Sequence, residues 1–324
     1  MLNLYFLAGA FFGSFIAYIS AYFLGRRKSL WFFAIIFQIG AGIMLASSHG
    51  NLAPILAGRV LAGVGVGGAS MIVPIYISEL APPAIRGRLV GIYEAGWQIG
   101  GLVGFWINYG ISETLKPSHS QWLIPFAVQL IPGGLLLIGS FFLRESPRWL
   151  YSVGRREEGL KNLCWIRNLP PTHIYLVEEV SAMESAIQAQ QSSRFGMSFS
   201  SPFKAIAASR SIQWRFILGN LLFLFQNGSG INAINYYSPT VFKSIGITGT
   251  NTSLFTTGLF GVVKTIMTFV WLFLLIDRVG RRNILLIGSA GGAVCMYIIG
   301  AYIAANGIHK VPQTSLGSGG IAAV

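Results

Sequence analysis

The chain has 324 residues, 53% of them hydrophobic and only 10% charged, with a formal net charge of +13. So little charge excludes a soluble domain that must cover its own surface, and a mean hydropathy of +0.61 fits a polytopic membrane protein. The positive balance does not mark a nucleic-acid binder, because the basic residues cluster in short stretches between apolar runs, as in cytoplasmic loops of membrane proteins.

In chain order, the first apolar run, 4–24, lacks a basic leader and a cleavage site and reads as a span rather than a signal peptide. Gly25-Arg26-Arg27-Lys28 is expected to be a cytoplasmic turn. Span 30–47 goes outward and span 56–77 returns, carrying Arg59 near its outer end and then Gly63, Gly65, Gly67 and Gly68. Glycines at that density let helix backbones approach closely. Arg59 either snorkels to the interface or pairs with an acid inside the bundle. The stretch 78–88, with Glu79, Arg86 and Arg88, is expected at the cytoplasmic face.

Span 89–111 contains Glu94 and Gln98, four residues apart and so on one helix face. A carboxylate within a span is a functional candidate, set against simple membership of the cytoplasmic charge network. Span 122–143 crosses back. Residues 144–215 form the long polar segment, with Glu145, Arg148 and an amphipathic stretch at 174–193, and read as a bundle of short cytoplasmic helices.

The span expected at 216–241 is interrupted by Gln226, Asn227, Gly228, Gly230, Asn232, Tyr236, Tyr237 and Pro239. Amides beside helix breakers at membrane depth are how a broken helix builds a substrate site; the bland alternative is hydrogen-bonding between helices. An outer loop is expected at 243–252, with an unused glycosylation sequon at Asn251, and span 253–276 follows. Lys264 near its middle cannot snorkel and must meet an anion, a carbonyl or water. Asp277, Arg281 and Arg282 belong to the next cytoplasmic turn, span 284–304 goes out, and the tail 305–324 is expected outside. Cys164 and Cys295 read as packing residues, and no metal-ligand spacing, nucleophile motif or phosphate loop is present, so neither an enzyme nor a cofactor is expected.

The basic turn Gly25-Arg26-Arg27 recurs as Gly280-Arg281-Arg282, an internal repeat flanking the long polar segment. These motifs, with Gly58-Arg59, Pro74-Ile75-Tyr76-Ile77-Ser78-Glu79, Arg86-Gly87-Arg88, Glu145-Ser146-Pro147-Arg148-Trp149 and Tyr236-Tyr237-Ser238-Pro239, resemble those of the sugar porters of the major facilitator superfamily. Runs such as Tyr93-Glu94-Ala95-Gly96-Trp97-Gln98 and Asn162-Leu163-Cys164-Trp165-Ile166-Arg167 are most similar to the fungal quinate permeases.

The resemblance implies an all-α major facilitator fold of about eight spans, the family's helices two to nine, in which two halves alternate access to one site. The expected organisation is a first half over 1–143 without its first helix, a linker over 144–215, the start of the second half over 216–304, and a tail. The family carries Asp-Arg where this chain has Tyr22 and Phe23, a substrate glutamine where it has Glu94, a second glutamine at Asn227 and an asparagine at Lys264.

A buried cation suits a carboxylate better than a neutral sugar. The implied substrate is therefore quinate or a similar polyhydroxy carboxylate, held by Gln226, Asn227, Asn232 and Lys264 with Glu94, Gln98, Tyr236 and Tyr237 nearby. Arg59 and Glu94 are the implied proton-coupling pair. Arg26, Arg27, Glu79, Arg86, Arg88, Glu145, Arg148, Asp277, Arg281 and Arg282 are the implied cytoplasmic gate. The implied partners are substrate, protons and the lipid bilayer, in the plasma membrane. The rival readings are a neutral-hexose transporter and a non-transporting truncated product or sensor.

Overall fold

The structure is a computed structural model and describes residues 2–47, 52–115, 119–192, 198–230, 250–275 and 278–306. Its elements are α-helical: α1 (Leu2–Phe23), α2 (Arg26–Leu45), α3 (Ala53–Leu80), α4 (Arg86–Thr114), α5 (His119–Val128), α6 (Leu130–Phe142), α7 (Pro147–Ser152), α8 (Arg156–Arg167), α9 (Ile174–Gln191), α10 (Ser201–Ala208), α11 (Arg210–Gly228), α12 (Thr250–Val270) and α13 (Arg281–Asn306). A π-helical turn, Trp271–Leu275, continues α12.

The helices run past the expected spans. Arg26 and Arg27 lie in the first turn of α2 rather than in a loop, Glu79 in the last turn of α3, and Arg86 and Arg88 in the first turn of α4. Backbone hydrogen bonding continues beyond the apolar stretch wherever side chains satisfy the end groups. The run 122–143 is two helices, with Pro132 two residues into α6. Proline lacks the N–H that would bond back to the preceding turn, so the helix breaks just before it. Helix α12 starts at Thr250, three residues before the expected boundary, so Asn251 stands in its first turn.

Six helical stretches among the described residues are long and apolar enough to cross a membrane: Asn3–Phe23, Arg26–Leu45, Ala53–Leu80, Leu123–Phe142, Thr257–Leu275 and Arg282–Ala301. The expectation of about eight spans included α4 and α11. With 29 and 19 residues these are long enough. Their polar side chains, among them Glu94, Gln98, Asn220, Gln226 and Asn227, lower their apolar character.

The chain divides into two compact units, Met1–Trp97 with Gly110–Gln213, and Gln98–Tyr109 with Trp214–Val324. In the first, α3 packs against α1 on one face and α2 on another. The glycines explain how. A methyl on Gly63 or Gly67 would overlap the backbone of Phe6 or Ala10 in α1, and one on Gly9 or Gly13 would overlap Val60 or Val64 in return. On the other face, Gly58 abuts Met44 and Gly40, Gly65 abuts Phe37, and Gly68 abuts the Phe33 ring. Small residues bring the backbones into contact, and dispersion between them holds helices together where lipid offers no hydrophobic drive. Ala17, Leu30, Phe33 and Ile72 form the buried cluster at this junction. The linker helices α7 to α10 belong to the same unit.

In the second unit, the 98–109 stretch of α4 packs on α12. Trp106 and Tyr109 meet the Phe255 ring at 6.0 and 6.3 Å between centroids. A Cβ on Gly258 would stand 3.1 Å from Phe105 and Trp106, and one on Gly261 3.3 Å from Leu102.

Candidate functional site

Four of the expected gate residues of the first unit, Arg26, Arg27, Glu79 and Glu145, meet where termini of α1, α2, α3, α6 and α7 come together. Gly25 precedes α2 with φ 85° and has no side chain to cap the helix. The cap comes from Glu145. Its carboxylate accepts hydrogen bonds from the backbone N–H of Arg26 at 2.8 Å, of Arg27 at 3.2 Å and of Ser146 at 3.0 Å. A negative charge at that position also offsets the positive end of the α2 dipole, which carries three unfavourable basic side chains. A Cβ on Gly25 would fall 2.7 Å from the same carboxylate. Glycine is thus required there for two reasons, a left-handed backbone and room for Glu145.

The Arg26 guanidinium pairs with Glu79 at 2.8 Å and donates to the Ala21 carbonyl, near the α1 C-terminus, at 3.0 Å. Both side chains are largely buried, 19% and 10% exposed. The second Glu79 oxygen accepts from the buried Ser146 hydroxyl, which caps α7 by accepting from Trp149 N–H. The Trp149 indole N–H donates to the Tyr22 carbonyl at 3.2 Å, and the Asn162 amide donates to the Glu145 carbonyl at 3.1 Å. Arg27 bonds the Phe141 carbonyl and lies over the Trp31 ring, 4.5 Å from its centroid. Charges removed from water need this many partners.

Other expected gate residues are placed differently. Arg86 donates to the Ala81 carbonyl at 3.5 Å, a contact at the end of α3. Arg88 is exposed in the first turn of α4. Arg148 is exposed on α7 and forms no ion pair with a described residue. Arg282 is exposed at the start of α13, while Asp277 and the Arg281 side chain lie outside the described residues. Gly280 has a positive φ of 81°, close to the 85° of Gly25 at the matching position of the first basic motif.

A second brace was not among the expected contacts. Arg167 grips Glu179 through Nε at 2.9 Å and through a terminal nitrogen at 2.6 Å, and donates to the Leu80 carbonyl at 2.9 Å. That hydrogen bond to Glu179 raises the Arg167 pKa further above its ordinary value, against the opposing effect of burial. It ties α8 and α9 to the end of α3. Only the residue types could have hinted at it, since the partners lie 12 and 87 positions away.

Of the expected coupling pair, Arg59 lies over the Phe126 ring at 5.3 Å, and its buried Nε meets no hydrogen-bond acceptor among the described residues. Glu94 is exposed on α4, two turns from that helix's start, and Gln98 one turn further is half-buried.

Of the expected substrate residues, Gln226 and Asn227 end α11. The Asn227 amide donates to the Phe223 carbonyl at 2.9 Å, and the Gln226 carbonyl accepts from the Ser229 hydroxyl at 2.6 Å. Gly230 then turns the chain with φ 80°. Asn232, Tyr236 and Tyr237 lie outside the described residues. Lys264 is half-buried in the apolar window Thr257–Leu275. It is about 10 Å from one end and about 16 Å from the other at 1.5 Å per residue, too deep for its ammonium to escape easily. The contacts Phe255 to Tyr109, Gly258 to Trp106 and Gly261 to Leu102 run antiparallel.

The chain is 64% identical over 321 residues to a quinate permease of Neurospora terricola, covering 98% of this chain and 60% of that protein. It is 63% identical over 318 residues to a probable quinate permease of Aspergillus fumigatus, covering 98% of this chain and 58% of that one. The chain thus spans about three fifths of the curated relatives it matches. The structure of the proton:xylose symporter XylE, of the major facilitator superfamily, superposes with a TM-score of 0.71 at 28% identity, covering 86% of this chain and 59% of XylE. The family model described as sugar (and other) transporter matches residues 1–324. This multi-pass, all-helical membrane chain belongs to the sugar (and other) transporter family, with the major facilitator fold.

Proposed function

We propose that this chain forms part of a plasma-membrane carrier of quinate or a similar polyhydroxy carboxylate. Lys264 carries the reading. An ammonium about 10 Å inside an apolar helix is costly unless it meets an anion or a polar cavity. A polyhydroxy acid offers one carboxylate for that ammonium and hydroxyls for amides. Gln98 on α4, and Gln226 and Asn227 at the end of α11, supply such amides, joined in this proposal by Asn232, Tyr236 and Tyr237. The relatives named quinate permease support the same substrate.

Transport proceeds in this reading by alternating access. The Arg26–Glu79 and Glu145 cluster, with Arg86, Arg88, Arg148, Asp277, Arg281 and Arg282, acts as the cytoplasmic gate. Proton coupling is assigned to Glu94 and Arg59, a role supported by likeness to a proton:xylose symporter.

The test is uptake of labelled quinate by cells lacking their own carrier and expressing the full-length protein, with Lys264→Asn beside it. Saturable quinate uptake that collapses in the variant fits the proposal. Hexose uptake indifferent to Lys264→Asn points to the neutral-sugar alternative, in which the lysine is incidental.

A further inference from the structure

The segment after Glu184 changes character. From 185 to 276 the chain holds no acidic residue, while Arg194, Lys204, Arg210 and Arg215 fall in its polar part. Within it lies α10, Ser-Pro-Phe-Lys-Ala-Ile-Ala-Ala, started by Ser201 and Pro202 and ended at Ser209. The backbone N–H of Ser198 bonds the Ser201 hydroxyl at 2.8 Å, which sets the turn into the helix.

This segment is fastened to α1 by aromatic rings. The Tyr18 hydroxyl donates to the Phe199 carbonyl at 2.9 Å. The Phe199 ring packs on Tyr18, Tyr22 and Phe23 at 5.1, 5.5 and 6.0 Å, and Phe203 packs edge-on against Tyr18 at 5.7 Å. Tyr22 and Phe23 occupy the positions where the resemblance implies an aspartate and an arginine, so rings replace charges in this chain. Phe203 is nevertheless 60% exposed and Phe23 64% exposed. Ala207, one turn beyond Phe203, is exposed as well, as are Lys204 and Arg210. The exposed apolar surface of α1, through Phe11, Phe15, Ile19 and Phe23, therefore runs on into one face of α10.

We propose that α10 is a membrane-surface foot that binds anionic lipid headgroups in the leaflet at the C-terminal end of α1. Three observations select lipid as the occupant. The exposed face continues that of a membrane-spanning helix, its aromatic residues suit the interface, and its flanking charges are all basic. A short helix with apolar residues on one side and Lys or Arg beside them lies in the headgroup plane, and basic residues there are drawn to anionic lipid. The role is separate from substrate transport and does not depend on the identity of the substrate.

The experiment places an environment-sensitive fluorophore on Ala207→Cys in the full chain carrying Cys164→Ser and Cys295→Ser, with Gln188→Cys on α9 as the water-exposed reference. The protein is reconstituted in phosphatidylcholine vesicles with and without phosphatidylserine. Nitroxide-labelled lipid should quench position 207 but not 188, and phosphatidylserine should raise that quenching about twofold or more. Lys204→Glu with Arg210→Glu should abolish the increase while leaving position 188 unchanged. Aqueous iodide quenching 207 as fully as 188 would overturn the proposal. Protection of 207 from both quenchers would also overturn it, by showing that protein covers the face. Equal nitroxide quenching in both lipid mixtures would overturn the anionic preference.

Discussion

The Glu145 carboxylate accepts the backbone N–H of Arg26 at 2.8 Å while the Arg26 side chain turns away to Glu79. One arginine therefore joins two acids by different groups, and Glu145 works as a helix cap supplied from 119 residues further along the chain. Glu145→Ala leaves the N–H groups of Arg26 and Arg27 without that acceptor and is expected to cost about 2–3 kcal/mol. Glu145→Gln keeps an acceptor but loses the charge and should cost about half as much. Thermal unfolding of the purified protein in detergent, read by tryptophan fluorescence, checks the order Ala worse than Gln.

Gly25 and Gly280 share a positive φ, but among the described residues a Cβ at Gly25 would meet Glu145, whereas one at Gly280 would meet nothing within 4 Å. Gly280→Ala should cost about 1 kcal/mol for the backbone conformation alone. Gly25→Ala adds a clash with Glu145 and should cost clearly more. Equal shifts in melting temperature for the two variants would show that the cap does not constrain Gly25.

The α1–α3 contact depends on absent side chains. Gly67→Val is expected to force the two helices apart and reduce the yield of monodisperse protein severely. Gly104→Val and Gly139→Val, where a Cβ meets no described atom within 4 Å, should stay within about 1 kcal/mol of the parent. Size-exclusion profiles of the three variants distinguish them.

Arg167 and Glu179 form a two-point pair that also holds the end of α3. Arg167→Ala should cost more than Glu179→Gln, because it removes the Leu80 contact too. A double-mutant cycle is expected to give a coupling of about 1–2 kcal/mol, and a coupling near zero would mean the pair is only a surface contact.

Glu94→Gln in the full-length protein should abolish accumulation driven by a pH gradient while sparing substrate exchange, if this carboxylate carries the proton. Unchanged accumulation, measured with labelled quinate in vesicles, would remove Glu94 from the coupling step.

Membrane class, helical architecture and family were legible in the letters alone, because hydropathy and the basic motifs act locally and repeat. The positions of Lys264, Glu94, Gln226 and Asn227 within long helices were likewise visible as polar residues in or beside apolar runs. The exact helix ends were not, since α2, α3 and α4 extend through residues whose end groups are satisfied by distant partners such as Glu145 and Arg26. Nor could the letters tell that Glu145 caps a helix, that Arg86 and Arg148 stand apart from the Arg26–Glu79 pair, or that Arg167 reaches Leu80. Those are choices among equally charged candidates, and only the tertiary structure makes them: a carboxylate will take whichever N–H or guanidinium the folded backbone delivers, and that delivery depends on glycine-controlled helix packing far away in the chain.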